Sequence, residues 1–134
     1  PEIGTASAIK MCRCIILKGL EALTVECLVT ARAYGIEDRV IASLDQAFPR
    51  LNWPDRSGYM LGRVLAHGAR RAEEMRCAAE TVRAIGLKPV MCEAIAARQQ
   101  CVADLGLDPA SASNPHTGSM VDALINSGRL GSSG

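Results

Sequence analysis

The sequence predicts an all-α fold, a helical bundle built around a long N-terminal helix. Half of the 134 residues are apolar (49%), and only four are aromatic, so alanine, leucine and isoleucine supply the core. This composition suits packed helices better than a β-sandwich. The first thirty or so residues contain no proline after the chain start, and no stretch shows the two-residue alternation of a strand.

The first helix is expected over residues 5–34, between Gly4-Thr5 and Gly35, a natural helix stop. Its centre is apolar on more than one face, which is typical of a helix surrounded by others. Gly19 within it costs about 1 kcal/mol relative to alanine. We therefore expect a close helix crossing at Gly19.

Two further helices are expected over residues 37–48 and 55–85, with Trp53 in the intervening loop as a core or interface residue. The later of them carries an apolar seam with alternating spacings of four and three residues. The seam consists of Leu61, Leu65, Gly68, Ala72, Met75, Ala79 and Val82. It faces either other helices of this chain or a second copy, and the pattern leaves both open.

A fourth helix is expected over residues 89–105, a loop over 108–115 and a short helix over 118–126. Residues 127–134 are rich in glycine and serine, which is typical of a flexible tail. The predicted organisation is an all-α domain over residues 1–108, followed over 109–134 by a loop, a short helix and the tail.

Several function classes are disfavoured by charge and hydropathy. A net charge of +1 gives no sign of a nucleic-acid or membrane-surface protein. Charges interrupt every apolar stretch, so no membrane span is expected. No signal peptide is visible, and a cytoplasmic protein is expected. The chain begins at Pro1 rather than Met, which suggests a piece of a longer protein or a processed one.

The six cysteines are expected to be free, partly buried thiols, because the chain is long enough to form a core without disulfides. Cys12 and Cys14 point to different helix faces, and the only histidines are His67 and His116, so no metal site is expected.

A basic strip formed by Arg63, His67 and Arg70 is diluted by acidic residues. It is interpreted as a solvated, salt-bridged face rather than a phosphate or nucleic-acid site.

The stretch Gly4-Thr5-Ala6-Ser7-Ala8-Ile9-Lys10-Met11 resembles the start of the C-terminal helical domain of the β-hydroxyacid dehydrogenases. That superfamily includes 6-phosphogluconate and 3-hydroxyisobutyrate dehydrogenases. The stretches at residues 18–23 (KGLEAL) and 70–75 (RRAEEM) are most similar to a bacterial branch known only as a phosphogluconate-dehydrogenase-like C-terminal domain of unknown function. The resemblance covers residues 4–104.

This resemblance implies an N-terminal Rossmann domain that binds NAD or NADP, followed by the helical domain found here. The fingerprint G-x-G-x-x-G is absent from the chain, so it is expected to be inactive alone. It is interpreted as the substrate-closing and dimerising part of an oxidoreductase. The expected partners are the Rossmann domain, a second copy in a homodimer and a small-molecule substrate.

Lys10 matches the family's catalytic lysine and is the expected general acid/base. Alcohol oxidation needs a base that takes the hydroxyl proton while hydride leaves carbon. An amine performs this role near neutral pH when burial or a neighbouring cation favours its neutral form. Arg13 at i+3 is the candidate cation, and Ser7, Arg13 and Cys14 are candidate substrate-binding residues. From spacing alone, an ordinary solvated helix lysine is the preferred interpretation of Lys10, and the resemblance turns the preference to catalysis. A core role is at least as good an interpretation of Cys14 as a place in the active cleft.

Departures from the family pattern concern the substrate. Better-known members carry asparagine where this chain has Cys14, and 6-phosphogluconate dehydrogenases carry histidine and glutamate where it has Arg13 and Leu17. The Lys-Asp-Leu motif of many relatives corresponds to residues 73–75 (EEM) here, without the lysine. Arg70 or Arg71 is a possible substitute, although a solvated charged face is the preferred interpretation.

Two functional hypotheses follow. In the first, the chain is the C-terminal domain of an NAD(P)-dependent oxidoreductase acting on a hydroxyacid or a related alcohol/carbonyl pair rather than 6-phosphogluconate. In the alternative, it is a non-catalytic helical dimerisation or interaction module, as the heptad seam and the missing cofactor domain suggest.

Overall fold

The computed structural model describes residues 3–108 and 117–130, which form five α-helices and no strand. The helices are α1 (Thr5–Ala33), α2 (Glu37–Ala47), α3 (Trp53–Arg83), α4 (Val90–Asp104) and α5 (Thr117–Asn126). The all-α prediction is confirmed, and helix ends fall within two residues of those expected. Residues 109–116, including the predicted loop and His116, and residues 131–134 of the predicted tail lie outside the described residues.

Two glycines end helices at the places that the sequence predicts. Gly35, at φ +68°, follows α1, and Gly86, at φ +81°, follows α3. Their amides donate to the carbonyl oxygens of Arg32 and Arg83, both at 2.9 Å. A left-handed residue turns the chain away from the helix axis, and glycine adopts this conformation without steric cost.

The first core cluster joins α1, α3, α4 and α5. Its buried residues are Val25, Leu28, Leu61, Val64, Leu65, Val102, Met120, Val121 and Leu124. Three of them come from α5, and Leu130 packs against the same cluster. The short last helix and residues up to Leu130 are therefore packed onto the domain.

The second core cluster lies between the first half of α1, the end of α3 and the start of α4. It contains Cys14, Ala22, Met75, Ala78, Ala79, Cys92, Ile95 and Ala96, with Met11, Ile15 and Val82 packed against it. Because Met11 and Val82 share this cluster, α1 begins at the end of the bundle where α3 ends and α4 starts. We call this the open end.

The predicted α3 seam faces the interior of this chain. Leu61, Ala72 and Met75 are fully buried, and the remaining members are buried or partly buried. The choice that the sequence left open, between partners in this chain and a second copy, is thus decided in favour of this chain.

One face of α1 does not match the expectation of a helix surrounded by others. Ile9, Ile16 and Leu23 are 63%, 64% and 58% exposed. That expectation was wrong for this face, because the other helices pack against α1 from the opposite side, where Cys14, Val25 and Leu28 are buried.

Close helix crossings explain two glycines. A Cβ on Gly68 would lie 2.8 Å from the backbone carbonyl oxygen of Gln99, so the backbones of α3 and α4 are in close contact at this point. A Cβ on Gly19 would lie 3.2 Å from Cδ1 of Ile95, which confirms the crossing expected there. Beside Gly68, the backbone of His67 leaves the helical region (φ −134°, ψ 16°), and α3 kinks at this point.

No helix in the described parts of the chain is long and apolar enough to cross a membrane. The six cysteines are free, and four of them are buried or half-buried. Cys12 and Cys77 are exposed, which differs from the expected partial burial.

Candidate functional site

The predicted site residues lie on the first turns of α1, at the open end. Ser7, Lys10 and Arg13 are exposed, whereas Cys14 is 6% exposed and belongs to the second core cluster. Spacings of three and four residues place Ser7, Lys10 and Cys14 on one side of the helix. The structure therefore aligns these three residues, but it separates them by burial.

Burial of Cys14 shows which way the Lys10 side of α1 faces. This side covers the core at Cys14 and runs past the end of the core at Lys10, one turn earlier. The position of Cys14 is that of the core residue left open as an alternative. The Lys10 side chain is consequently exposed just beyond the end of the core, on the side of α1 that faces the core one turn later. No described residue buries it.

The turn after α3 and the first turn of α4 expose four large apolar side chains at the same end of the bundle. Ile85, Leu87, Val90 and Met91 are 56–65% exposed within seven residues of chain. We call this group the apolar tip. Clustered exposed apolar side chains of this kind mark contact surfaces. The open end thus combines the Lys10 amine, the Ser7 hydroxyl group, the Arg13 guanidinium group and the apolar tip.

A buried polar network, which the sequence reasoning missed, joins α1, α3 and α4. Nε and Nη2 of Arg71 donate to the Glu21 carboxylate at 2.6 and 3.0 Å. Gln99 Nε2 donates to the same carboxylate at 3.1 Å. Arg71, Glu21 and Gln99 are 4%, 5% and 0% exposed. The network holds the three helices that carry the open end.

The charge state of Arg71 is fixed by this pairing. Burial acts to lower the pKa of its guanidinium group, but the hydrogen bonds and negative charge of Glu21 outweigh burial and raise the pKa. Arg71 is thus a permanent cation facing a carboxylate, and this arrangement positions helices rather than moving protons.

Arg70 and Arg71 differ in their surroundings although they are neighbours. Arg70 is 65% exposed and lies 3.8 Å from Glu74, which also pairs with Lys18 at 3.4 Å. The expectation of a solvated face holds for Arg70 and was wrong for Arg71. One signal was available in the sequence, since Arg71 lies seven residues from both Val64 and Ala78, which are fully buried.

His67 is exposed at the kink of α3. Its pKa is lowered by partial desolvation of the ring at the helix surface and by the positive charges of Arg63, Arg70 and Arg71. Within the described residues, no group of histidine, cysteine and carboxylate side chains is arranged to hold a metal ion.

Comparison with known proteins identifies the family. A family model described as "Domain of unknown function (DUF1932)" matches residues 31–102. The chain belongs to this family. DUF1932 is the C-terminal helical domain of 3-hydroxyisobutyrate dehydrogenase-like proteins. The resemblance to the C-terminal helical domains of dehydrogenase-like proteins is thus confirmed. The matched residues begin after the Lys10 stretch, and they carry no information on the role of Lys10.

One solved structure is similar to most of the chain. It is the crystal structure of a conserved hypothetical protein from Sinorhizobium meliloti 1021, with 35% identity and a TM-score of 0.77. The alignment covers 90% of this chain and 42% of that protein. The chain therefore spans less than half the length of this relative. No curated protein is similar enough to match.

Proposed function

We propose that this chain is the substrate-closing domain of an NAD- or NADP-dependent oxidoreductase that acts on a hydroxyacid or a related alcohol/carbonyl substrate. The observation that carries the proposal is the position of Lys10, which is exposed at the same end of the bundle as the apolar tip. Membership of a dehydrogenase-like family of C-terminal domains supports it.

The open end is the surface that a preceding Rossmann domain would cover. The exposed side chains of the apolar tip supply the contact, and closure removes water from around Lys10. Because the Lys10 ammonium group is exposed in this chain alone, its desolvation has to come from that domain. The Rossmann domain would hold NAD or NADP, which accepts or supplies the hydride when bound.

The residues of this chain would act on the substrate and its proton. The Lys10 amine takes the hydroxyl proton during oxidation and returns it during reduction. The Arg13 guanidinium group pairs with a substrate carboxylate, and the Ser7 hydroxyl forms a hydrogen bond with the substrate. Cys14, one turn further along α1, is buried in the core and holds this part of the helix in place.

Turnover by the protein that carries this chain together with its Rossmann domain tests the proposal. A panel of short hydroxyacids and the matching carbonyl compounds is assayed with NAD, NADP and their reduced forms. We expect Lys10→Ala to lower kcat by about 10²–10⁴-fold, the usual contribution of a general acid/base. The control Arg39→Ala, exposed on α2, is expected to keep wild-type turnover. Full kcat in Lys10→Ala would end the catalytic assignment.

We also propose that the chain forms a homodimer, and a dimer is equally part of the alternative hypothesis of a non-catalytic interaction module. The α3 seam does not support the dimer or the interaction module, since it is buried within this chain. The exposed apolar side chains on one face of α1 support both of them, and a dimer is compatible with catalysis at the open end.

A further inference from the structure

We propose that a small, mainly apolar molecule with one carbonyl group binds in a cavity between α1, α2 and the first turn of α3. The cavity has a volume of about 240 Å³. It is lined by Leu20 and Cys27 of α1, Leu44 of α2, Phe48 directly after α2, and Trp53 of α3. We call it the Trp53 cavity. The proposal is independent of the oxidoreductase assignment and of the chemistry of Lys10.

The cavity lies beneath a helix that covers the core incompletely. Val40, Ile41 and Leu44 form one apolar face of α2, because they recur at spacings of three and four residues within it. A face of this kind normally becomes buried, yet all three side chains are only half-buried, and Phe48 is 53% exposed. Among the eleven residues of α2, all of which the structure describes, Glu37 alone is buried. The apolar face of α2 is therefore separated from α1 by the cavity.

The lining of the Trp53 cavity is almost wholly apolar. Two hydroxyl groups border it, but both donate to backbone oxygens. Oγ1 of Thr24 donates to the carbonyl oxygen of Leu20 at 2.7 Å, and Oγ of Ser57 donates to that of Trp53 at 2.5 Å. Burial raises the pKa of the Cys27 thiol, which keeps this side chain neutral. The lining thus excludes a charged ligand, because none of its groups would compensate for the lost hydration of a charge.

One polar group of the lining residues has no partner. Trp53 is 8% exposed, and no described residue accepts a hydrogen bond from its indole Nε1. The backbone of Trp53 is paired on both sides, since its amide donates to Oδ1 of Asp45 at 3.2 Å and its carbonyl oxygen accepts from Ser57. A buried indole N–H usually has an acceptor. We assign a carbonyl group to the ligand because it supplies this acceptor without a charge.

The volume of the cavity sets the size of the ligand. An apolar protein cavity of about 150 Å³ holds benzene. In proportion, a cavity of about 240 Å³ holds on the order of ten non-hydrogen atoms. The fused bicyclic ketone 1-indanone has this size, and its single oxygen is an acceptor. Indane is the same bicycle without the carbonyl group, so the two compounds form a matched pair of probes.

The Trp53 cavity is separate from the proposed site at Lys10. Leu20 is the first α1 residue that lines the cavity, and it follows Lys10 by ten residues, or roughly 15 Å of helix. Of the exposed α1 side chains that support a homodimer, Leu23 lines the cavity, but Ile9 and Ile16 do not. The ligand is accordingly expected to stabilise the packing of α2 on α1 rather than to be turned over.

Titration of the ¹⁵N-labelled 134-residue chain with 1-indanone and indane, followed by ¹H–¹⁵N NMR, tests the proposal. We expect 1-indanone to bind with a dissociation constant on the order of 0.1–1 mM, and about 3- to 10-fold more tightly than indane. Leu44→Asp is expected to weaken binding at least about tenfold, because it places a charge in the apolar lining. The matched variant Val40→Asp, also half-buried and one turn earlier on α2 but outside the lining, is expected to bind as the wild type does.

Three outcomes of this titration would overturn the proposal. The first is that neither compound binds, and the second is that Leu44→Asp and Val40→Asp, both with unchanged circular dichroism, bind equally well. The third is binding that weakens as the chain concentration is raised, which would show that a second copy covers the cavity instead. Equal affinities for indane and 1-indanone would overturn the assignment of a carbonyl group.

The indole N–H cross-peak of Trp53 tests the contact without any variant. The chain has a single tryptophan, so this cross-peak is identified at once. We expect 1-indanone to move it further downfield than indane does, because only 1-indanone accepts a hydrogen bond from Nε1. A cross-peak that stays in place, at concentrations of 1-indanone that move other cross-peaks, would overturn the assignment of the ligand to this cavity.

Discussion

At the scale of single residues, the pairing of Glu21 with Arg71 is the most demanding feature of the domain. Both side chains are nearly inaccessible to water, and the fork of Arg71 meets both carboxylate oxygens. Removing two charges from water costs several kcal/mol per ion, and only good geometry offsets this cost. Gln99 adds a third hydrogen bond to the carboxylate. A shift of one helix past another would leave a buried charge without its partner, so the network fixes how α1, α3 and α4 sit together.

Arg71→Met is expected to lower the free energy of unfolding by about 3–5 kcal/mol, because it leaves the Glu21 carboxylate buried and unpaired. The matched variant Arg70→Met, at a side chain that is 65% exposed, is expected to change it by less than about 0.5 kcal/mol. Urea denaturation of both variants checks this, and the double variant Glu21→Leu/Arg71→Met is expected to regain part of the loss. Similar losses in the two single variants would contradict the account.

At the scale of helices, the arrangement depends on how closely α3 and α4 approach. The carbonyl oxygen of Gln99 faces Gly68 at a distance that leaves no space for a side chain. The kink at His67 lies immediately before this contact. By contrast, Gly19 faces the flexible end of the Ile95 side chain, which is able to move.

Gly68→Ala is expected to destabilise the domain by about 1–3 kcal/mol, because the new methyl group meets backbone and the helices have to separate. Gly19→Ala is expected to be close to neutral, since the gain in helix propensity of about 1 kcal/mol offsets a small movement of Ile95. Thermal unfolding of the two variants provides the comparison. Equal destabilisation would show that the crossing at Gly68 is not the tighter one.

The helices were predictable from the sequence because their ends are set locally. Gly35 and Gly86 stop α1 and α3 at the expected places through backbone conformation alone. The surface that covers the α3 seam was not predictable, because a heptad pattern specifies an apolar face but not the helix that packs against it. For the same reason the exposure of one face of α1 was not predicted, since its apolar residues suggested a helix enclosed on all sides.

The candidate site was predictable only in part. The resemblance pointed to the first turns of α1, but the depth of each side chain depends on where the neighbouring helices end. Cys14 is therefore buried while Lys10, one turn away, is exposed. Arg71 was judged by its charge, although its spacing from Val64 and Ala78 placed it on a buried row.

At the scale of the whole molecule, two separate apolar surfaces remain exposed. The apolar tip lies at the open end with Lys10, and the exposed apolar side chains of α1 (Ile9, Ile16 and Leu23) follow one face of that helix. We propose the apolar tip as the contact of a nucleotide-binding domain and the exposed face of α1 as the contact of a second copy.

Protection of the Lys10 amine from acetylation tests this account most directly. The isolated chain and the protein that also carries the Rossmann domain, loaded with NAD or NADP and a hydroxyacid, are treated with an N-hydroxysuccinimide acetate ester and followed by peptide mass spectrometry. Lys10 is exposed in the isolated chain and is expected to react readily there. In the loaded protein we expect it to react severalfold more slowly, because the covering domain excludes solvent and reagent. Equal rates in the two proteins would contradict the assignment of Lys10 to a closed active site.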